Sequence, residues 1–329
     1  MRERRLRTGT RLTDLGFGAA QLGNLYRRTT DQEARDAVDA AWDAGIRYFD
    51  TAPHYGLGLS ERRLGAALAG RPRDEYVLST KVGRALVPTP ERAHLRDDDG
   101  FDVPAAFRRE WDFTRDGVLR SLEGSLDRLG VDRVDVVYLH DPDAHWAQAA
   151  TSGMAALVEL RDQGVVSAVG AGMNQSAMLA RFVRETDVDV VMCAGRYTLV
   201  DRAALADLLP AALDRGVAVV AAAVYNSGLL AGPRPRPDAR YDYEQAPADV
   251  LDRVHRIADV AESFGATVPE LAAQYPLRHD AVASVVLGMR TAGHVTTNAA
   301  RMAGAVPDEL WDELDRHGLV PRDTGRSNR

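Results

Sequence analysis

Between Thr30 and Gly45 the apolar residues Ala34, Ala37, Val38 and Ala41 fall three and four positions apart, the spacing of one helix face. Thr30 and Glu33 form a capping-box pattern ahead of them and Gly45 follows, so a helix is predicted over about 31–44. The next run, IRYFD, is short, β-branched and aromatic, and the turn-forming TAPHYG bounds it, which marks a strand. The alternation then recurs. A helix from Ser60 to about Leu68 precedes YVLSTK. Another after Thr114 carries Val118, Leu122, Leu126 and Leu129 on one face, stops at Gly130 and precedes VDVVYLH. GMAALVELRDQG leads into VVSAVGAG, QSAMLARFVRE into VDVVMC and DRAALADLLPAALDRG into VAVVAAA, and the series reaches ASVVLG.

With an opening strand near LGFGAA, these segments make eight strands separated by helices. Several are near-continuous Val and Ala, as strands buried on both faces must be. Eight βα units in one chain predict an α/β fold, a closed (β/α)8 TIM barrel. A doubly wound open sheet is the alternative. It would place a glycine fingerprint after its first strand, and LGFGAAQLG lacks the acidic ribose partner at the required distance. Long loops on the carboxyl-terminal face are expected after strand 3 and after strand 7, the second containing GPRPRPDARYDYEQAP. Residues 1–329 read as a single barrel domain, with a mobile tail from about 320 to 329.

Composition narrows the classes. A length of 329 residues suits one large barrel, and 45% hydrophobic with 27% charged residues describes an ordinary folded protein. A net charge of -7 argues against a nucleic-acid partner, which needs clustered Lys and Arg. No run approaches a membrane span, and the basic start has no apolar segment behind it, so neither anchor nor export signal is expected. Cys193 is the only cysteine, which excludes an internal disulfide and suits a reducing compartment, so the expected location is the cytoplasm. The sequence leaves monomer and homo-oligomer open.

Four residues stand at the carboxyl ends of successive predicted strands, the face where barrels place catalysis. Asp50 ends the second strand, Tyr55 lies in the loop beyond it, Lys81 ends the third and His140 ends the fourth. Lys81 is the only lysine in the chain; every other basic residue among the 41 Lys and Arg is arginine. Its retention marks a place where a compact ammonium cannot be replaced by a guanidinium. A buried Lys81–Asp50 pair that merely braces the barrel is the structural alternative. Tyr55 shifts the balance, because a nearby ammonium stabilises a phenolate and lowers its pKa. Asp50 would then hold Lys81, and His140 would orient a substrate oxygen or join the proton relay. His140 and His145 lack the spacing of a helical metal pair and Cys193 has no companion, so no metal site is expected, and no serine lies in a GxSxG elbow.

The segments FDTAPHYGLGLSERRLG, STKVGR and YLHDPD resemble signature segments of the aldo-keto reductase family over roughly Leu12 to Met302. The resemblance implies a catalytic tetrad of Asp50, Tyr55, Lys81 and His140 and a nicotinamide dinucleotide, NAD or NADP, bound on a barrel. By position it implies cofactor contacts from Gly18, from Asn174 to the carboxamide and from Tyr197 stacking on the nicotinamide. Tyr225, Asn226, Ser227, Gly228 and Leu230, with Gly288, Arg290, His294 and Asn298, would cover the pyrophosphate and adenosine, Arg290 being able to clamp a 2′-phosphate. The family commonly has Gln where this chain has Ala194, Lys near Thr291 and Glu near Thr297.

AGRYTL, YNSGLLAG and HDPD are more specifically similar to a branch that holds L-fucose, D-threo-aldose 1- and pyridoxal 4-dehydrogenases. This implies oxidation of the C1 hemiacetal of an aldopyranose, L-fucose or a relative, to a lactone. His54, Trp111, Asp141 and Asp143 would then contact the sugar. Pyridoxal is the close alternative substrate. A general carbonyl reductase, a non-catalytic dinucleotide-sensing subunit and a cofactor-free lyase or isomerase are the alternative functions.

Overall fold

The computed structural model of the chain describes residues 1–242 and 244–321. Eight parallel strands close into a barrel. They are β1 (Leu15–Gly18), β2 (Tyr48–Asp50), β3 (Val77–Val82), β4 (Val136–His140), β5 (Ala168–Met173), β6 (Val190–Ala194), β7 (Ala218–Ala222) and β8 (Val282–Gly288). Each pairs with the next, and β8 closes on β1 through Val286 opposite Gly16 and Gly288 opposite Gly18.

The first six intervals carry helices α1 (Asp31–Asp43), α2 (Leu59–Leu68), α3 (Arg115–Leu129), α4 (Met154–Asp162), α5 (Ser176–Glu185) and α6 (Leu208–Arg215). Two more, α7 (Ala248–Ser263) and α8 (Val268–Gln274), lie before β8, and α9 (Ala292–Ala303) and α10 (Asp308–Arg316) follow it. The capping box holds: the Thr30 hydroxyl accepts from Glu33 N at 3.1 Å and the Glu33 carboxylate from Thr30 N at 2.7 Å. Strand β2 is shorter than the run IRYFD suggested, because Ile46 N donates back to the Ala41 carbonyl of the preceding helix and Arg47 N to the Thr13 hydroxyl, outside the sheet ladder.

Both expected long loops are present. That after β3 contains an antiparallel hairpin, Arg84–Pro88 with Phe107–Trp111, and that after β7 contains a shorter one, Arg240–Tyr241 with Glu244–Gln245. The expected mobile tail falls mainly on residues 322–329, outside the described residues.

Side chains alternate across each strand, and this period of two divides the core. Phe49, Leu78, Val137 and Leu139 face the helices, while Tyr48, Val136, Tyr138, Ala168, Val190 and Val220 fill the barrel. A hairpin of Glu3–Arg5 and Arg11–Thr13 floors the barrel with Leu6 and Leu12. Gly16 admits the Tyr48 ring; a Cβ there would lie 2.8 Å from it. On the same alternation Asp50 stands above Tyr48, Lys81 above Ser79, and His140 above Tyr138.

Candidate active site

Asp50 and Lys81 point into the barrel near its carboxyl end, 3% and 2% exposed. Lys81 Nζ donates to Asp50 Oδ2 at 2.6 Å and to the Thr51 carbonyl at 2.9 Å. The Ser79 hydroxyl donates to Asp50 Oδ1 at 2.7 Å, so both carboxylate oxygens are engaged. Burial opposes the Lys81 charge, but the Asp50 carboxylate outweighs it and holds the ammonium above its ordinary pKa. A charge so placed stays a charge through the accessible pH range.

Tyr55 sits 4.9 Å from Lys81 Nζ by its ring centroid, and its ring lies edge-on to His140 at 5.9 Å. Two glycines set the Tyr55 loop. The Gly23 and Gly56 backbones touch, such that a Cβ on Gly56 would lie 2.3 Å from the Gly23 carbonyl oxygen, and Gly56 has φ of 63°. No residue with a side chain allows this approach, which docks the loop after β1 directly against the Tyr55 peptide.

The sequence expectation for Tyr55 acidity needs correction. Burial raises its pKa above the ordinary value, and Lys81 offsets only part of that rise. His140 is driven well below the ordinary histidine range, first by burial and then by Lys81 and Arg84, so its ring is neutral. His54 is pushed down to about 2 by burial and by Arg84, Arg109 and Lys81.

These residues line the inner end of a long cleft. A cavity of about 570 Å³ bounded by Asp50, His54, Tyr55, Lys81, His140 and Asp141 continues into one of about 640 Å³ bounded by Tyr225, Asn226, Ser227 and Gly228. Gln21, Leu25, Tyr26, Asn174, Ala194, Ala223 and Gly288 border both. Gly18 lines the inner part. Gln21 Oε1 and Asn226 Oδ1 are buried with no hydrogen-bond partner among the described residues. Gly288 leaves the floor free; a Cβ there would collide with Gln21. At the outer end Tyr225 donates to Asn298 at 2.9 Å, and Arg301 braces both. A narrow cleft with unpaired polar atoms along its length suits an elongated polar ligand.

Several expected contacts lie elsewhere. Tyr197 is 1% exposed and packs against Tyr275 at 5.2 Å and His279 at 6.0 Å, because the turn after β6 curls outward between strands and helices. Leu230 is buried in the same outer layer. Arg290 spends its guanidinium on the carbonyls of Leu25 and Arg27 and the Thr29 hydroxyl, fixing the loop after β1 rather than facing an open anion site. The His294 ring accepts the Arg290 backbone N–H and stands outside the cleft, so its role is also local. Trp111 is largely exposed: it stacks on Phe113, meets His145 at a tilt and carries the Arg84 guanidinium over its face, outside the cavity lining. Asp143 begins the short turn Asp143–His145 and does not reach the cavity.

Other lining residues escaped the sequence reading. Leu25 and Tyr26 pair with Gly100 and Phe101 across the cleft, with Tyr26 N donating to the Gly100 carbonyl at 2.8 Å. Phe101 and Asp99 come from the hairpin loop after β3. Alternating Phe101 and Val103 after DDDG was the available signal. Cys193 is buried, its thiol pushed up to about 12 by burial. Among the described residues no helix is long and apolar enough to cross a membrane, and no three His, Cys, Asp or Glu side chains gather as a metal site.

The family model described as Aldo/keto reductase family matches residues 14–318. A D-threo-aldose 1-dehydrogenase of Pseudomonas sp is 49% identical over 316 residues, 95% of this chain and 96% of that protein. A pyridoxal 4-dehydrogenase of Microbacterium luteolum is 38% identical, covering 95% of this chain and 96% of its own length. Among solved structures, the holo form of an aldo-keto reductase from Bacillus halodurans superposes with a TM-score of 0.76 at 25% identity, covering 100% of this chain and 99% of that one.

Proposed function

Because the chain belongs to the aldo/keto reductase family, we propose that it is an NAD(P)-dependent dehydrogenase oxidising C1 of an aldopyranose hemiacetal, L-fucose or a stereochemical relative, to the 1,5-lactone. The observation that carries the reading is the buried Lys81–Asp50 pair beneath Tyr55 and His140, at the inner end of the long cleft. The 49% identity to an aldose 1-dehydrogenase supports the substrate class.

Bound NAD(P)+ supplies the hydride acceptor. Gln21, Asn174, Asn226, Ser227, Gly228 and Gly288 would hold it along the cleft, with Tyr225 and Asn298 at the outer end. The neutral His140 ring donates a hydrogen bond to the C1 hydroxyl oxygen and orients it. Tyr55, as phenolate, takes the hydroxyl proton while the C1–H bond breaks with its electron pair and the C1–O bond becomes the lactone carbonyl. Lys81 offsets part of the burial cost of the phenolate, and Asp50 keeps Lys81 in place. Oxidation therefore accelerates with rising pH, as the Tyr55 proton is lost.

The 38% identity to a pyridoxal 4-dehydrogenase favours pyridoxal as a second reading, since its internal hemiacetal offers the same carbon and oxygen. Phe101 at the cleft supplies an apolar wall for a flat ring. Purified protein assayed with a panel of aldoses and pyridoxal, with NAD+ and NADP+, separates them. Lactone formation from an aldose is the expected result. Oxidation of pyridoxal with no aldose turned over would remove the sugar reading and leave the proton chemistry standing.

A further inference from the structure

Asp141 follows His140 at the end of β4 with φ of 43°, a left-handed conformation that costs energy in a residue with a side chain. Its N–H donates to the Gly172 carbonyl at 2.9 Å, so the barrel itself fixes the turn. The result is a carboxylate that lines the cavity beside the tetrad. Arg84 donates to Asp141 Oδ2 at 2.7 Å. The same guanidinium lies 3.3 Å from the His54 ring nitrogens and 4.5 Å from the Trp111 ring centroid, which sets its position before any ligand arrives. Among the described residues Oδ1 has no protein partner. Asp141 Oδ2 stands 3.7 Å from His140 Nε2.

Oxygens on adjacent carbons of a sugar lie about one hydrogen-bond length apart, so a vicinal pair can reach His140 and Asp141 together. A carboxylate only accepts, and therefore selects a hydroxyl that donates to it. We infer that Asp141 is a specificity-determining residue that binds the hydroxyl on the carbon next to C1, restricting the site to hemiacetals of 2-hydroxyaldehydes. The inference rests on the dehydrogenase reading above and sharpens it. Pyridoxal's hemiacetal carbon is bonded to a ring carbon that carries no hydroxyl, so this contact disfavours it.

The test compares kcat/KM for the best aldose, its 2-deoxy analogue and its 3-deoxy analogue. In the unaltered protein the 2-deoxy sugar should be about a hundredfold poorer, the size of a lost hydrogen bond to a charged group, and clearly worse than the 3-deoxy sugar. Asp141→Asn, which tolerates the left-handed backbone, should lower kcat/KM on the parent sugar about tenfold or more and on the 2-deoxy sugar about threefold at most. Cofactor affinity, read by fluorescence titration, should stay within about twofold and reports that the variant is folded. If parent and 2-deoxy sugars were turned over equally well, the dehydrogenase reading would stand and the role of Asp141 would fall. Equal losses on both sugars in Asp141→Asn would have the same meaning. Absence of turnover with any aldose would remove both together.

Discussion

The lower and upper halves of the barrel interior are built from the same strands, two residues apart, and carry opposite kinds of side chain. Below, Leu6, Leu12, Tyr48, Val136, Ala168, Val190 and Val220 form a dry apolar plug. Above, Asp50, Lys81 and His140 occupy the next inward positions on β2, β3 and β4. Between them lies a hydroxyl layer: the Ser79 and Tyr48 hydroxyl oxygens are 3.2 Å apart, with the Ser79 proton given to Asp50, and Tyr48 and Tyr138 share a hydrogen bond of 3.1 Å. One period of two thus takes the barrel from packing to chemistry, the division of labour that parallel barrels allow between their two ends. The lower half should control stability, and the upper half turnover.

The largest expected break between the halves is Tyr55→Phe. It should lower kcat by about 10² to 10⁴, the contribution of a positioned acid or base, while cofactor affinity by fluorescence titration stays near the original. Residual activity within tenfold of the original would show that the phenol is not the proton carrier.

Next in size is Lys81→Met, which leaves Asp50 charged and buried without its cation and should cost about 3–5 kcal/mol in urea unfolding as well as activity. Pairing it with Asp50→Leu should return most of the stability and none of the activity. A double variant as unstable as the single one would show that the ion pair braces the fold. Leu12→Ala in the floor is the mirror case, losing about 2–5 kcal/mol of stability with kcat unchanged at a temperature where it remains folded.

A smaller effect is the acid response of the upper half. His54 and His140 have folded pKa values below the ordinary one, so their contribution is complete above about pH 6.5 and is lost as pH falls, because only the unfolded chain takes up the protons. Stability should decline by about 1.4 kcal/mol per pH unit for each histidine below about pH 6. A His54→Phe variant should take about 1.4 kcal/mol per pH unit off that slope in urea titrations; an unchanged slope would point to other groups. Smallest of all, Tyr197→Phe should leave cofactor affinity unchanged, since that ring packs in the outer layer.

Much of this was readable beforehand because it depends on local signals. Val and Ala runs separated by capped helices mark each strand, and Thr30 with Glu33 and Gly130 stand where the caps require them. Asp50, Tyr55, Lys81 and His140 could be placed on one face because a strand end fixes where a side chain points. Loops gave poorer answers. Tyr197 follows the end of β6 more closely than Tyr55 follows the end of β2, and Leu230 lies in the loop beyond β7, yet the chain curls outward there and buries them among helices. The roof made by Leu25, Tyr26, Gly100 and Phe101 joins segments far apart in the chain, which no local periodicity encodes. The net pKa of Tyr55 also depends on three-dimensional burial, which a list of neighbouring charges does not contain.

Lys81 has a use beyond its chemistry. Its side chain is the sole lysine amine in the sequence, and folding hides it against Asp50. Amine-directed reagents would therefore leave the side chains of the folded barrel unmarked. A label on Lys81 would enter only after its contact with Asp50 had opened, so the fraction of chains tagged at that residue, read by mass spectrometry, becomes a clock for opening.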